Sequence, residues 1–189
     1  QSLCAIELRV LLDASTLNGY LFETMSVAVP ETEKRRQAWE SFQAGYEAQM
    51  HGEMERAVAL YEESLKIFPS AEAYTFLGWS YTYQRDFNTA ITLCEKAIAV
   101  DPGFGNPYND IGAYLIELGR FDEAIPWLEQ ATTAVRYDSH CFAWMNLGRI
   151  WERKGLWPRA IDCYKQALEC DPGYALPARA LARLRGRLN

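Results

Sequence analysis

The stretch 71–104, AEAYTFLGWSYTYQRDFNTAITLCEKAIAVDPGF, sets a spacing that three other parts of the chain copy. In each copy a Gly is followed twelve residues later by an Ala: Gly45 and Ala57, Gly78 and Ala90, Gly112 and Ala124, Gly148 and Ala160. Seven residues after that Ala comes another small residue, at Ser64, Ala97, Ala131 and Ala167. Three copies then place a Pro, at Pro69, Pro102 and Pro172, where the third carries Arg136. The glycines lie 33, 34 and 36 residues apart. A period of that length, with small residues in lockstep, is what an array of stacked helix pairs requires. The Gly and the Ala let the two helices of a copy approach closely, with Tyr74, Leu77 and Tyr81 facing Ile91 and Ile98 across the pair. One such pair cannot bury its apolar face alone, so neighbouring pairs must share a core.

The pattern resembles the tetratricopeptide repeat family. Tyr74, Leu77-Gly78, Tyr81, Ala90, Ala97 and Pro102 match it in the second copy, and Trp144, Leu147-Gly148, Trp151, Ala160, Tyr164, Ala167 and Pro172 in the fourth. The first copy is weaker, with Ser41 and Ala44 before Gly45, and the third lacks the final Pro. The implied fold is an all-α, right-handed superhelical solenoid of antiparallel helix pairs. Its repeats are expected at about 38–70, 71–104, 105–140 and 141–174, within an array over 30–173.

Composition is that of a folded chain: 189 residues, 49% apolar and 23% charged. The formal net charge of −6 argues against nucleic acid as a partner, because that affinity comes from Lys and Arg on phosphates. Five cysteines without a Cys-x-x-Cys pair read as free thiols in a reducing, cytoplasmic setting. Residues 1–29 stand outside the repeats as a non-repeat arm. Its Leu3–Leu12 is too short and too charged, through Glu7 and Arg9, to span a membrane. The arm is read either as loosely docked or as lying in a groove of its own or a neighbouring chain.

Pro30 with Glu31 and Glu33 starts a long first helix, since Pro suits the first turn and acids suit the N-terminal dipole. Asn106-Pro107 reads as a cap and first-turn Pro, opening a pair expected over 108–118 and 121–135. The link 136–140 carries two extra residues and is expected to form an extended corner or an added helical turn. Residues 175–189 read as a capping helix that lays Leu176, Leu181 and Leu184 on the last repeat and turns Arg179, Arg183, Arg185 and Arg187 to water.

The resemblance also implies where a partner binds. In the family the first helices of successive repeats line a concave groove. Carried over position by position, it is lined by Trp39, Phe42, Tyr46 and Met50 of the first repeat and Trp79 and Tyr83 of the second. The third adds Asn106 and Asn109, and the fourth Phe142, Met145, Arg149 and Arg153. Aromatics at positions not needed for the core suit a peptide or helix with apolar or aromatic side chains. Asn106 and Asn109 suit an extended backbone, and Arg149 with Arg153, one turn apart, a carboxylate. One branch of the family clamps the acidic tails of chaperones with basic residues, but the corresponding positions here hold Phe42, Tyr46, Phe76, Asn106 and Asp110. A chaperone-tail clamp is therefore not expected.

Catalysis finds little support: the histidines are His51 at a turn and His140 beside Cys141. No phosphate loop, metal-spaced ligand set or cofactor motif occurs. The expected role is a non-catalytic scaffold for a protein partner. The alternative is structural, a homo-oligomer joined through residues 1–29 or the capping helix.

Overall fold

A computed structural model describes residues 29–188. The expectations for the arm and its oligomeric role rest on residues 1–28, which lie outside the described residues, as do the side chains of Arg187 and Leu188. Four helix pairs and a last helix follow one another: α1 (Glu31–Met50) with α2 (Met54–Ile67), α3 (Ala71–Thr82) with α4 (Phe87–Val100), α5 (Asn106–Glu117) with α6 (Phe121–Ala131), α7 (His140–Arg153) with α8 (Trp157–Cys170), then α9 (Ala175–Leu188). The result is an all-α superhelical array in which each helix packs mainly on its chain neighbours.

Local chemistry starts and stops these helices. Ser70 caps α3 by accepting from the Ala73 N–H at 3.2 Å, and Asp86 caps α4 by accepting from Thr89 at 3.1 Å. On α1, Arg35 pairs with Glu31 at 2.7 Å and Arg36 with Glu33 at 2.7 Å, each worth a few tenths of a kcal/mol at such exposure. Gly119 turns α5 into α6 with φ 74°, a conformation open to Gly at no cost. Arg85 takes the same left-handed conformation between α3 and α4, with φ 58°.

The close approach within each pair differs in one respect from the expectation. The residue that presses on the repeat Gly comes sixteen positions later, not twelve. A Cβ on Gly148 would lie 2.3 Å from Tyr164 Cε1, one on Gly112 2.4 Å from Leu128 Cδ2, and one on Gly45 2.8 Å from Tyr61 Cε1. Only Gly78, opposite the smaller Cys94, meets the repeat Ala first, at the Ala90 carbonyl. The repeat alanines are fully buried around these contacts.

Two boundaries are corrected. Gly105, not Asn106, caps α5, and Asn106 is its first residue. Helix α6 stops at Ala131, not at 135. Beyond it the chain extends and pairs with the preceding corner: Gly105 N–H donates to Arg136 O at 3.1 Å and Arg136 N–H to Gly103 O at 3.0 Å. The 136–140 link is thus the extended corner. Arg136, standing where the other repeats have Pro, bonds Asp101 and Glu72 and lies 4.9 Å from the centre of the Phe104 ring. Arg136→Ala is expected to cost about 1 kcal/mol, since each contact is exposed and worth a fraction of that. Urea unfolding with and without added salt measures it, and the cost should shrink in salt.

In α9 the buried stripe runs Pro177, Ala180, Leu181, Leu184. Leu176, expected to cover the last repeat, is 51% exposed, because it sits one residue outside that stripe.

Candidate functional site

The first helices of successive repeats lie side by side, α1 against α3 and α5 against α7. On the first two a continuous ladder of rings forms. Trp39 stacks on Phe42 with centroids 5.0 Å apart, and Phe42 and Tyr46 both meet the edge of Phe76, at 5.4 and 5.6 Å. Phe76 meets Trp79 at 6.2 Å, and Trp79 meets Tyr83 at 6.3 Å. Such pairings hold ring positions and add to area burial.

Trp39, Tyr46, Met50, Tyr83 and Phe142 are exposed, and Trp79 is 41% exposed. Phe42 is not: at 7% exposure it belongs to the core beneath the ladder, wedged between Tyr61 and Phe76. Phe76, half-buried at the hub, lies outside the positions that the family frame gives to the groove, and its ring contacts join it to the ladder.

Two cavities follow along the same face. The central one, about 350 Å³, is walled by Phe76 and Trp79 of α3, Asn106, Asn109 and Asp110 of α5, Tyr137 of the link and Phe142 of α7. Burial pushes the Asp110 carboxyl up to about 7, partly offset by the Asn109 side chain. Asn109 is less free than expected, since its Oδ1 accepts from Asn146 Nδ2 at 3.0 Å. Tyr137 became part of the groove through the extended corner, which no repeat frame places.

The second cavity, about 680 Å³, lies between α7 and α9 and brings together Met145, Arg149, Arg153, Arg179 and Arg183. Arg183 clasps Glu152, with Nη2 at 2.9 and 2.8 Å from its two oxygens, and Tyr164 Oη donates to Glu152 Oε2 at 2.8 Å. Arg149 reaches Asn146 Oδ1 at 3.2 Å and, weakly, Glu117 at 3.4 Å. Arg153 has no ion-pair partner among the described residues.

The His140–Cys141 pair shows no activated thiol. Cys141 is buried, burial pushes its thiol up rather than down, and His140 Nε2 lies 3.1 Å from the Ala134 carbonyl. Cys94, Cys141, Cys163 and Cys170 are all free. Among the described residues no group of His, Cys, Asp and Glu has the arrangement of a metal site, and no helix is long and apolar enough to cross a membrane.

Comparison with known proteins agrees with this architecture. Tetratricopeptide repeat models match residues 71–104 and 109–175. The chain belongs to the tetratricopeptide repeat family, whose members are in general non-catalytic protein-interaction scaffolds. The mitochondrial import receptor subunit TOM70 of Rattus norvegicus is 28% identical over 129 residues, covering 67% of this chain and 21% of that protein. The chain therefore spans about a fifth of the length of that relative. The photosystem I assembly protein Ycf3 of Prochlorococcus marinus is 29% identical over 123 residues, 57% of this chain and 71% of that one. Among solved structures, Pseudomonas aeruginosa PilF superposes with a TM-score of 0.77 at 22% identity, over 82% of this chain and 70% of its own. MamA does so with 0.63 at 24%, over 71% and 78%. These two likenesses speak for the fold alone.

Proposed function

We propose that this chain is a scaffold that holds a peptide or helix of a partner protein along the face made by α1, α3, α5 and α7. The observation that carries the reading is the exposed aromatic ladder from Trp39 to Tyr83. A solvated run of Trp, Tyr and Met on adjacent helices leaves apolar area uncovered, and such side chains dominate recognition surfaces. The reading assigns Trp39, Tyr46, Met50, Trp79 and Tyr83 to apolar anchoring, Asn106, Phe142 and Met145 to the middle, and Arg149 and Arg153 to the basic end. The names of the relatives, an import receptor subunit and an assembly protein, fit a chain that handles other proteins.

The test is selection of phage-displayed peptides on the full chain, repeated on Trp79→Ala. Peptides carrying aromatic or aliphatic residues are expected to be enriched, and to bind the variant at least about tenfold more weakly. Because Trp79 sits on the surface, the melting temperature should barely move. Equal retention of the same peptides by both proteins would overturn the reading.

A further inference from the structure

We propose that the central cavity is a subsite for one lysine or arginine side chain of the bound peptide, with the Asp110 carboxylate as its counter-charge and the rings of Trp79 and Phe142 as its walls. The inference rests on the groove reading above and adds the charge of the ligand to it.

Among the described residues, the cavity offers acceptors and π-faces without a cation, and Asp110 is its only ionisable carboxyl. Its one hydrogen bond among the described residues is a long one, 3.4 Å from Asn109 Nδ2, and no Lys or Arg lies within ion-pair distance. Asp110 is half-buried at the cavity wall, so its carboxylate is partly desolvated and lacks a counter-charge among the described residues. Tyr137, 5% exposed, lines the same cavity with its Oη buried and lacking any hydrogen-bond partner among the described residues. The Oη of Tyr114 on α5 is in the same condition. An ammonium or guanidinium supplies several N–H donors at once and is attracted to the faces of Trp and Phe. An apolar side chain would leave the half-buried Asp110 carboxylate without a counter-charge, and a carboxylate would be repelled.

Among the described residues, the groups that face Asp110 carry no positive charge from any side. Cys94 of α4, Tyr114 of α5 and Tyr137 of the link are each pushed up chiefly by their own burial and further by the Asp110 charge, so all three are neutral at neutral pH. The α3 and α7 walls contribute Thr75, Phe76, Trp79 and Phe142. The free carboxyl titrates at about 7, above its usual 3.8. Its protonation therefore adds stability that is complete below about pH 4 and lost as pH rises through about 7. A bound cation favours the ionised form, so recognition should strengthen over the same rise.

The probe is the peptide acetyl-Phe-Ala-Lys-Ala-Phe-amide beside its arginine, norleucine and glutamate counterparts, titrated into the full chain while the Trp79 indole resonance is followed by NMR. At about pH 8 the Lys and Arg forms are expected to bind roughly tenfold more tightly than the norleucine form, and the Glu form most weakly. Asp110→Asn should abolish the preference without lowering the melting temperature, because it removes a desolvated charge. Acidifying the wild type to about pH 6 should shrink the preference with no substitution at all. Equal affinity for Lys and norleucine, or a preference that survives in Asp110→Asn, would overturn the subsite. If the norleucine peptide is held by the wild type and lost in Trp79→Ala, where binding is read by calorimetry because the variant has no Trp79 indole, while charge makes no difference, the groove stands and the subsite falls. If no peptide moves the Trp79 resonance, both fall.

Discussion

Tyr164→Ala is expected to remove about 3–5 kcal/mol of stability, a large part of what a domain of this size has to lose. The ring is 1% exposed and fills the space that Gly148 leaves on α7, with Ala160, Ala180, Leu181 and Leu184 around it. Deleting it opens a cavity that rigid helices on both sides cannot close. It also takes a hydrogen bond from Glu152, which is then held mainly by Arg183. Tyr164→Phe keeps the ring and should cost only about 1 kcal/mol. Urea unfolding of the two variants separates packing from hydrogen bonding. In a repeat array the loss is local, so hydrogen exchange should quicken in α8 and α9 well before it does in α3 and α4. A uniform increase over all helices would mean that the array unfolds as one unit.

Gly105→Ala should cost about 3 kcal/mol, although one methyl group is all that is added. Its Cβ would lie 2.3 Å from Tyr137 Cβ and 2.8 Å from Ala134 Cβ. These are first side-chain atoms, fixed to the backbone, so no rotamer change relieves them. The link must move away, and with it the pairing of 103–105 to 136 and the position of Tyr137 in the central cavity. Gly186→Ala is the control: nothing lies within 4 Å of its added Cβ, and on a helix Ala is favoured over Gly. Thermal melts of the two variants should move in opposite directions.

The period of the glycines was enough to read the class of fold, because close helix contact demands a missing side chain at a fixed place in each repeat. The partner of that Gly was harder to name. Contact depends on the size of the residue sixteen positions on, which varies from Tyr61 through Cys94 and Leu128 to Tyr164. The groove was legible as a set of helices and less so as a set of side chains. Adjacent helical positions point about 100° apart, so a frame carried between repeats separates surface from core only coarsely. Phe42 turned inward and Leu176 outward for that reason. The extended corner at 136–140 was one of two forms its extra residues allowed; the place of Tyr137 in the central cavity was hidden, because it is set by the pairing of that corner with the Gly103–Gly105 backbone, some thirty residues away in sequence. Asp110 was visible as a charge, but its half-buried place without a cation among the described residues depends on neighbours from α4, α5 and the link.

The pairing of Gly103 and Gly105 with Arg136 also bears on how the array deforms. Contacts run between near neighbours along the chain, so small rotations at successive junctions add up and the two ends behave like the arms of a spring. The backbone pairing laces the corner after α4 to the corner after α6, and Arg136 adds Glu72 of α3 to the knot. Elastic strain is therefore expected to gather in the outer repeats rather than in this laced middle. On the groove reading proposed above, the aromatic end and the basic end would open or close on ligands of different girth while the floor around Asp110 keeps its dimensions.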